Sequence, residues 1–180
     1  MTKIFSSYFY SIIEPPNKEE LLNNAENPPL HERQYFEWSE DCSVNVERLS
    51  YDVFGKLINP SLIEFQKEFQ IDRPFAVEDI WKTTYTKGSY QEIHDHSGCE
   101  ISCVLFLDDL EEDGSKFFFY NRHSSELSLS WLEYLPDVHP TNYYIDYKRG
   151  DAIFFPSYML HGVTCHRSDK QRRTVAFNFI

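Results

Sequence analysis

The feature that most constrains the fold is a series of short strand-like segments filling the second half of the chain. Trp81–Tyr85 alternates and is rich in Thr and aromatics, and Ile101–Leu107 is a continuous apolar run. Phe117–Tyr120, Tyr143–Tyr147, Ala152–Phe155 and Thr174–Phe179 follow, each bounded by Gly, Asp, Pro or Lys. β-Branched and aromatic runs of this length between breakers read as strands. Six of them with no helical period between them predict a closed or sandwiched antiparallel architecture, a β-barrel or jelly roll.

Residues 1–80 read differently. Pro15–Pro16 and Pro28–Pro29 break them into pieces, and Met1–Ile13 reads as a first strand of a cytosolic protein. Asn17 is placed to cap a short helix with Glu19 and Glu20 in its first turn. Val46, Leu49, Val53 and Leu57 have helical spacing, which predicts a helix over Val44–Ile58. Ser61 is placed to cap another, with Leu62, Ile63, Phe65, Phe69 and Ile71 on one side. The expected plan is a single domain over residues 1–180, mainly β, with mostly helical support over residues 1–80 and the β core over residues 81–180. A chain of 180 residues buries roughly 70% of its unfolded surface, enough for one core.

Charge narrows the partners. With 17 Lys+Arg against 29 Asp+Glu, the formal net charge is -12, which opposes nucleic acid as a partner because phosphate neutralisation needs surplus cations. An acidic ligand would need a basic pocket of its own. The densest acid, Asp108–Asp113, reads as a solvated turn. Cys42, Cys99, Cys103 and Cys165 are too few and too irregular for a disulfide framework. No stretch is long enough to span a bilayer.

Three constellations carry chemistry. In His94-Asp95-His96, strand alternation sends both imidazoles to one face and the carboxylate to the other, so the pair can grip one metal ion; an inert surface strand is the competing reading. In Gly150–His161 an apolar strand ends at Pro156 and a third histidine, His161, follows. Such a trio can form one face of an octahedral site with positions left open. In Gln171–Ile180, Arg172, Thr174, Ala176 and Asn178 share one face, and Arg173, Val175, Phe177 and Phe179 the other. An arginine entering an aromatic-rich interior needs an anion. That anion is either a side-chain carboxylate of the protein or a bound acid held by the planar fork, with the Thr174 hydroxyl adding a third bond.

The strings WKTTYTKGSYQEIHDHSGCEISCVLFL, GDAIFFPSYMLHGV and RRTVAFNF together resemble the iron(II)- and 2-oxoglutarate-dependent oxygenases. The nearest group is the phage and bacterial branch with His-x-His and an FPS…H.V…R.S..FN signature. The resemblance covers residues 81–180 and implies a double-stranded β-helix. It implies iron(II) on His94, His96 and His161, with His96 standing where most relatives carry Asp or Glu. It places the far carboxylate of 2-oxoglutarate on Arg172 and Thr174, with Tyr85 as a further contact. The implied reaction is hydroxylation of a small-molecule or peptidyl substrate by dioxygen, with 2-oxoglutarate decarboxylated to succinate. The same scaffold also admits a cupin reading, Gly88-x5-His94-x-His96-x3-Glu100 with Gly150-x5-Pro156-x4-His161, which implies another dioxygenase or a non-catalytic small-molecule-binding module. The cupin pattern leaves Arg172-x-Thr174 and the Phe-Asn ending unexplained. Asn121–Pro140 is expected to shape the mouth of the site, with His123 and His139 solvated.

Overall fold

A computed structural model describes residues 8–34, 42–122 and 141–180; the expectations for His123 and His139 lie outside them. Two antiparallel sheets face each other, and two helices cover the outer side of the larger one. The larger sheet contains β1 (Ser11–Ile13), β2 (Asn45–Arg48), β3 (Val77–Tyr85), β5 (Ile101–Phe106), β8 (Ala152–Pro156) and β10 (Arg172–Phe179), in the order β1-β8-β5-β10-β3-β2. The smaller contains β4 (Gln91–His94), β6 (Phe117–Tyr120), β7 (Asn142–Tyr144) and β9 (His161–Val163), in the order β4-β9-β6-β7. This is the double-stranded β-helix, mainly β with an α-helical cover.

Period-two alternation divides the larger sheet between two cores. Cys103, Leu105, Phe154, Val175 and Phe177 turn outward and pack under the helices. Tyr85, Phe106, Ile153 and Phe155 turn inward, toward Phe117, Phe119 and Val163 of the smaller sheet. The pairing of β10 with its two neighbours holds this parity: Arg172 lies opposite Tyr85, Thr174 opposite both Thr83 and Phe106, and Ala176 opposite Trp81.

The helical cover corrects three expectations. α1 (Lys18–Glu26) buries Leu21, Leu22 and Ala25, but the Asn17 side chain does not cap it. Its Nδ2 donates instead to the Leu57 carbonyl at 2.9 Å, pinning α1 to the second helix. α2 (Tyr51–Glu68) runs straight through Pro60, so Ser61 lies buried inside a helix and caps nothing. The apolar stripe of Phe54, Ile58, Leu62 and Phe65 continues across the proline, and its burial outweighs the one backbone bond that proline removes. The expected helix over Val44–Ile58 starts only at Tyr51. Asn45–Arg48 is a strand, because the open edge of β3 offers backbone partners from Thr84 to Trp81, and pairing there overrides local periodicity. The expected strand Tyr143–Tyr147 ends at Tyr144, after which Ile145 and Tyr147 are still buried between the sheets. β4 and β9, too short to stand out in the sequence, complete the smaller sheet. Among the described residues no helix is long and apolar enough to cross a membrane.

Candidate active site

The structure brings all three predicted histidines together. His94 at the end of β4 is directly opposite His161 at the start of β9, with ring centroids 4.3 Å apart. His96, two residues past β4, lies 5.1 Å from each of them. One ligand atom from each ring falls within 4.8 Å of the others, the separation expected of donors sharing one cation. Gly162 permits the crossing: a Cβ there would sit 3.0 Å from Phe118 Cζ and 3.1 Å from the Gln91 carbonyl.

Hydrogen bonds prepare the donor atoms. His94 Nδ1 donates to the Glu92 carbonyl at 2.7 Å and His161 Nδ1 to the Met159 carbonyl at 2.8 Å. A carbonyl can only accept, so Nδ1 carries the proton and Nε2 keeps its lone pair. Burial lowers the pKa of all three rings. His161 is buried completely and falls well below the usual histidine value, helped by the two neighbouring rings. His96 falls to about 4, by burial first and then by His94, and His94 is lowered by burial. Three neutral imidazoles at pH 7 are the form that binds a metal. Asp95 turns away, as strand parity requires: it pairs with Arg122 at 3.1 Å and accepts from Ser97. Glu100, needed by the cupin pattern, pairs with Arg73 at 2.8 Å on the exterior.

Arg172 and Arg173 are adjacent and meet opposite fates. Arg173 faces outward and ion-pairs with Glu26 and Asp108, each at 2.7 Å. Those carboxylates push its pKa up, and Asp108 thereby leaves the solvated turn expected of it. Arg172 points inward and is 4% exposed. Its Nε donates to the Tyr147 hydroxyl at 2.8 Å. Its guanidinium lies 4.9 Å from the centroid of the Tyr85 ring and 5.7 Å from that of Phe106. Both Nη atoms are buried without a hydrogen-bond partner. A buried cation with two orphaned donors costs several kcal/mol unless an anion meets it, and the described protein supplies none. The side-chain carboxylate reading therefore applies to Arg173, while among the described residues no carboxylate meets the Arg172 Nη atoms.

Arg172 and the histidines line one cavity, together with Tyr85, Thr174 and Trp81. Cation donors stand at one side and an anion fork at the other, a donor set suited to a metal chelated by an acid whose second carboxylate reaches the arginine. Three participants escaped the sequence reading. Trp81 lies 5.6 Å from His96, and its period-two relation to Thr83 and Tyr85 was the available signal. Gln91 accepts from the Tyr85 hydroxyl, whose ionisation burial opposes. Tyr147 stacks on Phe106 at 3.5 Å; it comes from outside any strand, and no local pattern marks it.

Comparison with known proteins agrees with this geometry. No curated protein is a significant match in sequence. In structure the chain is similar to an oxidoreductase of the 2OG-Fe(II) oxygenase family from Burkholderia pseudomallei, with TM-score 0.67 and 13% identity over 94% of this chain and 83% of that one. It is similar to HygX from Streptomyces hygroscopicus, crystallised with nickel, 2-oxoglutarate and hygromycin B, with TM-score 0.64 and 15% identity over 98% and 84%. It is also similar to the viral collagen prolyl hydroxylase vCPH from Paramecium Bursaria Chlorella virus-1 in its 2OG complex, with TM-score 0.60 and 14% identity over 95% of both. These likenesses concern the fold. Residues 79–178, which hold the histidine trio and Arg172, match the sequence pattern of the 2OG-Fe(II) oxygenases, and the chain belongs to that family of iron(II)- and 2-oxoglutarate-dependent oxygenases.

Proposed function

We propose that His94, His96 and His161 hold the iron(II), and that Arg172 with Thr174 holds the far carboxylate of 2-oxoglutarate. The observation that carries this reading is the orphaned Nη pair of Arg172, buried in the cavity that the three histidines line. When bound, iron(II) and 2-oxoglutarate supply dioxygen-dependent oxidation, in which the acid becomes succinate and carbon dioxide and a substrate C–H becomes C–OH.

The chain's own residues do the positioning. Tyr147 fixes the guanidinium through Nε, leaving both Nη groups to take one carboxylate bidentately. The Thr174 hydroxyl, on the same face two residues on, donates a third bond. Tyr85 supports the arginine from its ring face, and its hydroxyl is committed to Gln91. Phe117 and Val163 help wall the cavity from water. Because the three imidazoles are neutral, the cation keeps its full charge, which favours a dianionic acid over a monoanion of similar shape.

The substrate is a small molecule or a peptidyl side chain, in keeping with the family, and nucleic acid is disfavoured by the net charge of -12. Residues 1–180 act as one domain, with β1 and β2 built into the larger sheet beside the catalytic strands. Four free cysteines accord with a cytoplasmic setting. The test is anaerobic loading with iron(II), followed by 2-oxoglutarate and air. Succinate should appear, and should fall sharply with Arg172→Ala at the same 2-oxoglutarate concentration. Absence of both turnover and 2-oxoglutarate binding would overturn the assignment.

A further inference from the structure

Two of the three histidines are set by strand pairing, but His96 is not. It sits beyond the end of β4, in a loop that returns to β5. We propose that a buried hydrogen-bonded trio, Ser102, Ser157 and Asn178, is the bracket that fixes His96, so that these are positioning residues for the metal centre. The inference rests on the reading of His96 as an iron ligand.

The loop is clamped at both ends by one residue. His96 N donates to the Ser157 carbonyl at 3.0 Å, and Ser157 N donates to the Glu100 carbonyl at 2.9 Å. Within the loop, Cys99 N donates to the His96 carbonyl at 3.1 Å, and Glu100 N donates to Phe179 O at 2.8 Å. Ser157 follows directly on β8 and is fully buried. Its hydroxyl meets that of Ser102 at 2.8 Å, and Ser102 donates to Asn178 Oδ1 at 2.8 Å. The Ser102 proton is thus committed to Asn178, which makes Ser157 the donor to Ser102. Ser102 and Asn178 are opposite each other on β5 and β10, on the inward face that also carries Thr174 and Arg172. The last link, Asn178, stands where the pairing of β10 with β3 shifts register.

Buried polar side chains are costly unless hydrogen-bonded, and a satisfied buried network such as this one rigidifies the segments it joins. What they hold is the backbone of Ser157, and through it His96. Neither Ser157 nor Asn178 is among the residues that line the cavity of the histidines and Arg172.

The experiment uses the full chain and cobalt(II), whose affinity and visible absorption report the number of nitrogen donors. His96→Ala, Ser157→Ala and the double variant are titrated beside the parent, with melting of the metal-free proteins as a folding control. Ser157→Ala should weaken cobalt(II) binding roughly 10–100-fold, as loss of an outer support does, and move the spectrum toward that of His96→Ala. In the His96→Ala background it should cost nothing further. Ser157→Cys, nearly the same shape with a weaker donor, should show a smaller change in the same direction and serves if Ser157→Ala does not fold. The bracket is refuted if Ser157→Ala binds like the parent, or if its loss persists undiminished in the His96→Ala background. If His96→Ala itself leaves affinity and spectrum unchanged, the ligand assignment fails first and takes the bracket with it.

Discussion

His94 and His161 face each other across the β4–β9 pair, their ring centroids 4.3 Å apart and each Nδ1 bonded to a carbonyl two residues back along its own chain. The i–2 carbonyl does the same job twice: it fixes the tautomer and turns Nε2 to the common centre. Two short strands, unremarkable alone, thereby deliver two donors with matched chemistry.

Arg172→Ala should weaken 2-oxoglutarate binding by about 1.5–3 kcal/mol or more, the value of a charged hydrogen bond, and leave metal affinity nearly unchanged. Arg172→Lys should recover only part of the loss, because an ammonium cannot present two parallel donors to one carboxylate. Calorimetric titration of the metal-loaded protein with 2-oxoglutarate measures both. A loss of metal affinity equal to the loss of acid affinity would contradict the separation of the two roles.

Acid should destabilise the metal-free protein through the histidines. Each folded-state pKa is lowered, and that of His96 lies at about 4, so the unfolded chain binds more protons once the pH drops below about 6.5. The contribution is complete above that pH and is lost progressively on the way down to about 4. Denaturant midpoints of chelator-treated protein should fall through this window, and His96→Gln should flatten part of the slope. A midpoint independent of pH between 6.5 and 4 would show that the rings are solvated.

Gly162→Ala should cost about 1–3 kcal/mol of stability. The added methyl would meet the Gln91 carbonyl at 3.1 Å and Phe118 Cζ at 3.0 Å, and a carbonyl in a paired strand cannot swing aside. β9 must shift, so cobalt(II) affinity should drop together with the melting temperature, although Gly162 itself donates nothing.

Phe177→Ala should show the opposite division. Phe177 is fully buried on the helix side of β10, so truncation should cost about 3–5 kcal/mol of stability. The folded fraction should bind 2-oxoglutarate like the parent, since the alternating neighbours that line the cavity remain. Thermal melts paired with titration distinguish the two effects.

The strand that carries Arg172 and Thr174 into the cavity was legible because β10 keeps its alternation. Arg172, Thr174 and Ala176 fall on one face in the sequence, and the cavity receives Arg172 and Thr174 as read. The histidine trio was legible for the same reason, with Asp95 sent outward by parity. Long-range pairing was hidden. Val44–Ile58 has helical spacing, but its Asn45–Arg48 part joins the open edge of β3, and Ser61 looks like a helix cap but lies within α2. Tyr147 reaches Arg172 from 25 residues earlier, a contact that only the closed sandwich creates.

The three histidines hang from the smaller sheet and its loop, whereas Arg172 stands on the larger. The spacing between the layers therefore sets how far the three rings stand from the guanidinium. Phe106, Phe117, Phe119 and Phe155, packed between the sheets, hold that spacing, so a change in any of them is felt at the histidines and at the arginine together.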